Sequence, residues 1–294
     1  RLVVQWMKSR LGDEMDADLK SIAAARRCAE TAFEAYRQFL GTDPSKIDAI
    51  VDAMANAIEP EVNRIVELAV AETGYGNAKD KRIKDMVNAV SGADYLRDVT
   101  TLGMLWKDDA TKVAAFGEPM GLVAALIPVT NPPSTIIYKV LSAVKAGNAI
   151  VCAPHPRALR CGLEVTRLLA GVAEQMGAPK GLIQCLEHVT IQGTDELMRH
   201  RRTSVVMATG GPAMVKAAYS SGKPTLAVGA GNVPCYVNKS KANDLAEVAE
   251  QIIVSKSFDY GTACVSEQSL IVDKELAREL RNELKLRGAY FCTP

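Results

Sequence analysis

Not one of the seven cysteines in this 294-residue chain stands in a C-x-x-C pair. Cys28, Cys152, Cys161, Cys185, Cys235, Cys264 and Cys292 are odd in number and widely spread, which argues against a disulfide framework and against a zinc or other metal site. A reducing cytoplasm fits this usage. No apolar run approaches the roughly 20 residues of a membrane span, and no secretory signal is visible. Excess charge is lacking too. The 35 basic and 34 acidic residues leave a formal net charge of +1, so there is no bulk field to hold nucleic acid or an anionic membrane. Any ligand must be recognised locally. Internal repeats, low-complexity tracts and flexible linkers are also missing. What is present is an ordinary globular composition, 48% hydrophobic and 23% charged, long enough for one large or two medium soluble domains. The chain opens on RLVVQWMKSRL without an initiator Met, which reads as a cut edge or a short amphipathic peptide.

Periodicity divides the rest. From about residue 16 to residue 97 apolar positions recur at three and four, as in Ile47, Ile50, Val51, Met54 and Ile58, and Pro44 after Asp43 marks a helix start. From Gly121 onward short apolar runs alternate with helical ones: GLVAALIP, a helix over 135–146, AIVCA, a helix over 158–176 stopped by Gly177, LIQCL, a short helix near Asp195, SVVMA, a helix from Pro212, and TLAV. Strands that are apolar nearly throughout and separated by helices require a parallel sheet covered on both faces. The fold class is therefore α/β with a doubly wound parallel sheet.

Such a sheet binds ligands at the carboxyl ends of its strands, which directs attention to the loops there. After SVVMA come Thr209, Gly210, Gly211 and Pro212, a glycine turn that offers free amides to a pyrophosphate or is a plain strand-to-helix turn. The usual G-x-G-x-x-G fingerprint is absent, because GAGNVP at 229–234 fails at its last position. After GLVAALIP, prolines on both sides of Thr130 and Asn131 make a stiff loop able to hold the Asn131 amide as a fixed donor, although Asn-Pro is also a common turn. After AIVCA, His155 and Arg157 alternate with Pro154 and Pro156, a basic turn for a ribose or phosphate or simply for solvent. Farther on, residues 255–268 (SKSFDYGTACVSEQ) set Cys264 among Gly261, Thr262, Ala263 and Ser266. A nucleophilic sulfur needs that open approach and nearby backbone amides.

In this order and spacing, GEPMGLVAALIPVTNPPST, NAIVCAPHPRA, MATGGPAMVKAAYSSGKPTLAVGAGNVP and SKSFDYGTACVSEQ resemble the coenzyme A acylating branch of the aldehyde dehydrogenase superfamily. That branch includes the aldehyde half of bifunctional aldehyde-alcohol dehydrogenases and the acetaldehyde and propionaldehyde dehydrogenases of bacterial microcompartments. The resemblance implies a coenzyme-binding domain over 1–228, helical to about 98 with an oligomerisation arm over about 99–117, and the beginning of a catalytic domain over 229–294, cut short at Pro294. It implies Cys264 as nucleophile and an oxyanion hole made by the Asn131 side-chain amide and the Cys264 backbone amide. It implies NAD held by Pro128, Thr130, His155, Pro156, Thr209, Gly210, Gly211, Val228 and Gly229, with coenzyme A and a small aldehyde as substrates. NAD over NADP follows from the branch alone, since the lysine many members use for the adenine ribose is replaced near Ala153 and Pro154. A homo-oligomer, in the cytoplasm or a microcompartment, is also implied.

One departure from the hydrolytic members has a physical reading. Their water-activating glutamate falls in a segment that here reads Val228, Gly229, Ala230, Gly231, Asn232, with no carboxylate. Water, with a pKa of about 15.7, needs strong activation, whereas a thiol near 8.5 is partly ionised at neutral pH. Acyl transfer to a thiol is favoured over hydrolysis. Glu267, three residues past the sulfur, either tunes that chemistry or is structural. The rival expectations are a hydrolytic or phosphate-releasing semialdehyde dehydrogenase, and a truncated, non-catalytic nucleotide-binding or assembly module.

Overall fold

The computed structural model describes residues 2–292, with side chains from residue 17 onward. The amphipathic reading of the opening RLVVQWMKSRL therefore lies outside the described residues. A helical layer comes first: α1 (Leu2–Phe39), α2 (Pro44–Asn56), α3 (Ile58–Thr73), α4 (Ala78–Met86), a π-turn over 87–91 and α5 (Gly92–Arg97). The backbone is helical from Leu2, well before the expected start near residue 16. Helix α2 begins as its sequence dictates, with the Asp43 carboxylate accepting the Ser45 amide at 2.8 Å and Pro44 in the first turn. Its 3/4 spacing puts Ile47, Ile50, Val51 and Met54 into the core. Helix α4 is capped in the same manner by Asn77, whose side chain accepts the Asp80 amide.

An exposed antiparallel hairpin follows, β1 (Gly103–Asp108) and β2 (Val113–Gly117). Then comes the sheet: β3 (Leu122–Ile127), α6 (Pro132–Lys145), β4 (Ala149–Pro154), α7 (Leu159–Gln175), β5 (Ile183–Cys185), α8 (Ile191–Arg199), β6 (Thr203–Thr209), α9 (Pro212–Tyr219) and β7 (Thr225–Val228). Strand order is β5-β4-β3-β6-β7, all parallel. Every residue of β3 and β4 is buried, as strands covered on both faces must be. Helices α2 and α3 back α6 and α7, while α1 lies along α8 and strands β3 to β5.

This order creates a switch point. The chain leaves β3 for β4 and β5 on one side, then returns to β6 on the other, so the connections diverge between β3 and β6, the position at whose carboxyl ends doubly wound sheets bind ligands. Lys139 of α6, buried beneath this point, donates to the Leu126 carbonyl at 2.7 Å and the Met207 carbonyl at 2.8 Å, tying the two strands together. Burial pushes its pKa down to about 7.

Beyond the sheet, β8 (Val233–Val237), α10 (Leu245–Ser257), β9 (Glu267–Val272) and α11 (Ala277–Leu286) gather around a small separate cluster of Val237, Leu245, Ala249, Leu276, Leu280 and Leu284. Strands β8 and β9 pair in parallel. Among the described residues no helix is long and apolar enough to cross a membrane.

Candidate active site

Burial sorts the thiols. Cys152 and Cys161 are inaccessible, and desolvation pushes each up to about 12; burial likewise raises Cys28, Cys185 and Cys235. Only Cys264 and Cys292 are exposed among the described residues. Cys264 sits between a 3-10 turn over 258–261 and β9, on a bend closed by the Ser266 amide donating to the Ala263 carbonyl at 3.2 Å. Gly231 lies against it, since a Cβ on Gly231 would stand 2.4 Å from the Cys264 carbonyl oxygen. The carboxylate-free segment over 228–232 therefore runs directly beside this cysteine.

Asn131 reaches the same loop from the end of β3. Its Nδ2 donates to the Thr262 carbonyl at 3.1 Å and to the Thr130 hydroxyl at 3.2 Å, while its Oδ1 accepts from the Lys84 ammonium. The Asn131 amide is thus fixed from three sides. Of the two residues expected from sequence as nucleophile and oxyanion donor, Asn131, just past β3, is tied to the loop after α10 that carries Cys264, two residues beyond its Thr262 partner.

The anchor of that loop is Asp259, a residue with 0% exposure that no local motif singles out. Its carboxylate accepts the Asn77 amide at 2.9 Å, Lys81 at 3.1 Å, the Thr262 hydroxyl at 2.6 Å, and Lys84. Its own amide donates to the Asp80 carboxylate at 2.7 Å. Lys81 also donates to the Thr130 carbonyl at 2.8 Å, so α4 holds the β3 loop and the cysteine loop at once. Burial pushes the Asp259 carboxyl upward, but hydrogen bonds from Lys84, Thr262 and the Asn77 amide outweigh it and hold the group below the usual range. Burial lowers Lys84. Asp259 and Tyr260 both adopt left-handed backbone, at φ 51° and 55°, which non-glycine residues tolerate only when their surroundings impose it.

The candidate cofactor residues all fall on the carboxyl edge of the sheet. Thr209 pairs with Val228, the Gly210 amide donates to the Val228 carbonyl at 3.2 Å, and Gly229 follows at once. The Gly210 amide is thus already occupied, because the pairing of β6 with β7 continues one residue past Thr209. Nothing lies within 4 Å of a Cβ placed on Gly211, so the start of α9 is open to a ligand. Pro128 and Thr130 are half-buried after β3, and His155 and Pro156 are exposed after β4. His155 Nδ1 accepts the Arg157 amide at 3.1 Å, and burial followed by the neighbouring Arg157 charge lowers its pKa. Arg157 is not a purely solvated cation, since it donates to the Thr73 carbonyl at 3.0 Å and lies over the Tyr75 ring.

Glu267 starts β9 opposite Val233, half-buried, with one carboxylate oxygen inaccessible and without a hydrogen-bond partner. Among the described residues no three His, Cys, Asp or Glu side chains gather into a metal site.

Comparison with known proteins places this arrangement. The chain is 41% identical over 246 residues to aldehyde-alcohol dehydrogenase 2 of Entamoeba histolytica, an alignment covering 84% of this chain and 28% of that protein. The structure of an acetylating aldehyde dehydrogenase from Geobacillus thermoglucosidasius superposes with a TM-score of 0.88 at 47% identity, covering 94% of this chain and 61% of the other. That of Rhodopseudomonas palustris propionaldehyde dehydrogenase with bound propionyl-CoA gives 0.80 at 31% identity, covering 92% and 59%. The chain thus spans less than two thirds of the relatives it matches. The profile of the aldehyde dehydrogenase family matches residues 6–289, nearly the whole length, and the chain belongs to that family.

Proposed function

We propose that this chain carries the nucleophile and the coenzyme-binding edge of a CoA-acylating aldehyde dehydrogenase, which oxidises a short aldehyde to its acyl-CoA with NAD and runs in reverse by the same groups. The observation that carries this reading is the bond from the Asn131 amide to the Thr262 carbonyl, which fixes that amide at the loop of exposed Cys264, with the carboxylate-free segment at Gly231 on the loop's backbone. Similarity to enzymes named for acetylation and for bound propionyl-CoA supports it.

The open turn at Gly211 and the edge formed by Thr209, Gly210, Val228 and Gly229 suit a dinucleotide phosphate, with Pro128, Thr130, His155 and Pro156 extending the same edge. NAD bound there supplies a hydride acceptor. The Cys264 thiolate forms a C–S bond to the aldehyde carbon, and the carbonyl oxygen takes the negative charge. Asn131 donates to that oxygen. The hydrogen it gives is the one now shared with Thr130, whose hydroxyl can rotate to another partner. The carbonyl re-forms as the hydrogen on the same carbon departs with its electron pair, leaving a Cys264 thioester. The coenzyme A thiol loses its proton to solvent, and its sulfur takes the acyl group and releases the Cys264 thiolate. No carboxylate in 228–232 stands ready to make water compete.

Unpaired thiols throughout suit a reducing cytoplasm or a microcompartment within it. The hairpin β1–β2, with Met104, Trp106 and Phe116 more than half exposed, suits a homo-oligomer in which a second copy covers it. The test is NADH formation by the protein as it is made, with an aldehyde panel, with and without coenzyme A, beside Cys264→Ala. Sustained NADH only with coenzyme A, abolished by Cys264→Ala, is expected. NADH without coenzyme A points to hydrolysis, and none in any mixture overturns the catalytic reading.

A further inference from the structure

The geometry assigns Lys84 as a positioning residue that sets which way the Asn131 amide faces. Four groups form a closed ring. Lys84 donates to Asn131 Oδ1, Asn131 Nδ2 donates to the Thr262 carbonyl at 3.1 Å, the Thr262 hydroxyl donates to Asp259 Oδ2 at 2.6 Å, and Asp259 Oδ2 accepts Lys84. An ammonium only donates and a backbone carbonyl only accepts, so a single orientation of the amide satisfies both. Were Asn131 flipped, its N–H groups would face an ammonium and its oxygen a carbonyl. The ring therefore keeps the donor end toward the cysteine loop through every turnover.

A second feature sharpens the assignment. Asp259 carries two lysines, with Lys81 at 2% exposure and Lys84 at 14%, so one buried carboxylate is shared by two cations. Lys81 gives its second bond to the Thr130 carbonyl and holds the backbone of the β3 loop. Lys84 gives its second bond to a side chain, polarising the amide and strengthening its N–H groups as donors to negative charge. Gly76 makes room for this arrangement, since a Cβ there would stand 1.9 Å from Asp259 Oδ1.

The kinetic part of the test rests on the acyl-transfer reading, and the spectroscopic part does not. In the protein as it is made, Lys84→Met lowers kcat for CoA-dependent NADH formation about 10–100-fold, the cost of a catalytic group misplaced by about 1 Å, with KM for NAD nearly unchanged. If Lys84 acts through Asn131, Lys84→Met adds less than about twofold to Asn131→Ala in the double variant, and losses that multiply overturn the assignment. Should Lys84→Met not fold, Lys84→Gln, an uncharged donor one bond shorter, reads the same cycle. Independently of turnover, the side-chain amide resonances of Asn131, assigned by their loss in Asn131→Ala, shift and exchange faster with solvent in the Lys84 variant. Unchanged resonances overturn the assignment even in an active enzyme. An inactive wild type with shifted resonances sinks the acyl-transfer reading and leaves the positioning role standing.

Discussion

Two glycines in one turn offer an internally controlled measurement of what the Asp259 clamp contributes to stability. Gly74 and Gly76 share nearly the same positive φ, 71° and 68°, so replacing either by Ala imposes a similar left-handed penalty of about 1 kcal/mol. Their surroundings differ completely. Nothing lies within 4 Å of a Cβ on Gly74, whereas one on Gly76 falls 1.9 Å from Asp259 Oδ1 and 2.5 Å from its Cγ, where real contacts stay beyond 3.0 Å. The carboxylate must retreat, which removes the Asn77 amide at 2.9 Å and drags on both lysines. Hydrogen bonds to charged groups are worth about 1.5–3 kcal/mol each, and the lysines left behind are buried. Gly76→Ala is therefore expected to cost about 3–5 kcal/mol and Gly74→Ala about 1. Urea unfolding followed by far-ultraviolet circular dichroism, with the slope checked for constancy, gives both values. If the two variants lie within about 0.5 kcal/mol of each other, the reasoning that the turn is shaped around the Asp259 carboxylate is wrong.

Gly231→Ala acts at the other side of the cysteine loop. Its Cβ, 2.4 Å from the Cys264 carbonyl oxygen, must push that backbone aside, and we expect kcat to fall about 10–100-fold with KM for NAD little changed. Wild-type turnover would show that the segment does not press on the loop. Asp85 gives a pH prediction. It is 1% exposed with one oxygen unpartnered, and burial, only partly offset by Lys84 and Lys81, pushes its pKa up to about 7. A carboxyl raised in the folded state contributes its stability fully below its unfolded pKa of about 3.9 and loses it as pH rises through 7, so stability declines across that window. Asp85→Asn should therefore gain relative to wild type between pH 4 and pH 8, by about 4 kcal/mol at most, in paired denaturant titrations. A difference independent of pH sinks the assignment.

Much of this fold is legible in sequence because its strands are short, apolar and bounded. LVAALI and AIVCA contain no charged or strongly polar residue on either face, and both become fully buried parallel strands. Asp43 and Pro44 announce α2 through local chemistry, which a window of a few residues captures. Asn131 and Cys264 stand out because proline flanks one and small residues surround the other. The clamp is a different case. Asp259 lies some 180 positions from its partners Asn77, Lys81 and Lys84, and a long-range ion pair leaves no periodicity behind. In FDYG only the glycine advertises a left-handed turn, yet Asp259 and Tyr260 adopt one too, and at Asp259 tertiary hydrogen bonds overrule the local preference. The early start of α1 escaped because the opening RLVVQWMKSRL reads as a cut edge or a short peptide in its own right, while the helical backbone runs through it without a break.

The same distance along the chain sets an order of events during folding. Residues 77–84 and residues 259–264 can meet only after the intervening sheet has brought them into register, and loop closure of that length is slow to be rewarded. A ribosome delivers the N-terminal lysines long before the acid that neutralises them. The Cys264 sulfur, the proposed nucleophile, is consequently among the last parts of this chain to gain a defined setting, and a nascent or misassembled polypeptide does not hold it beside Asn131.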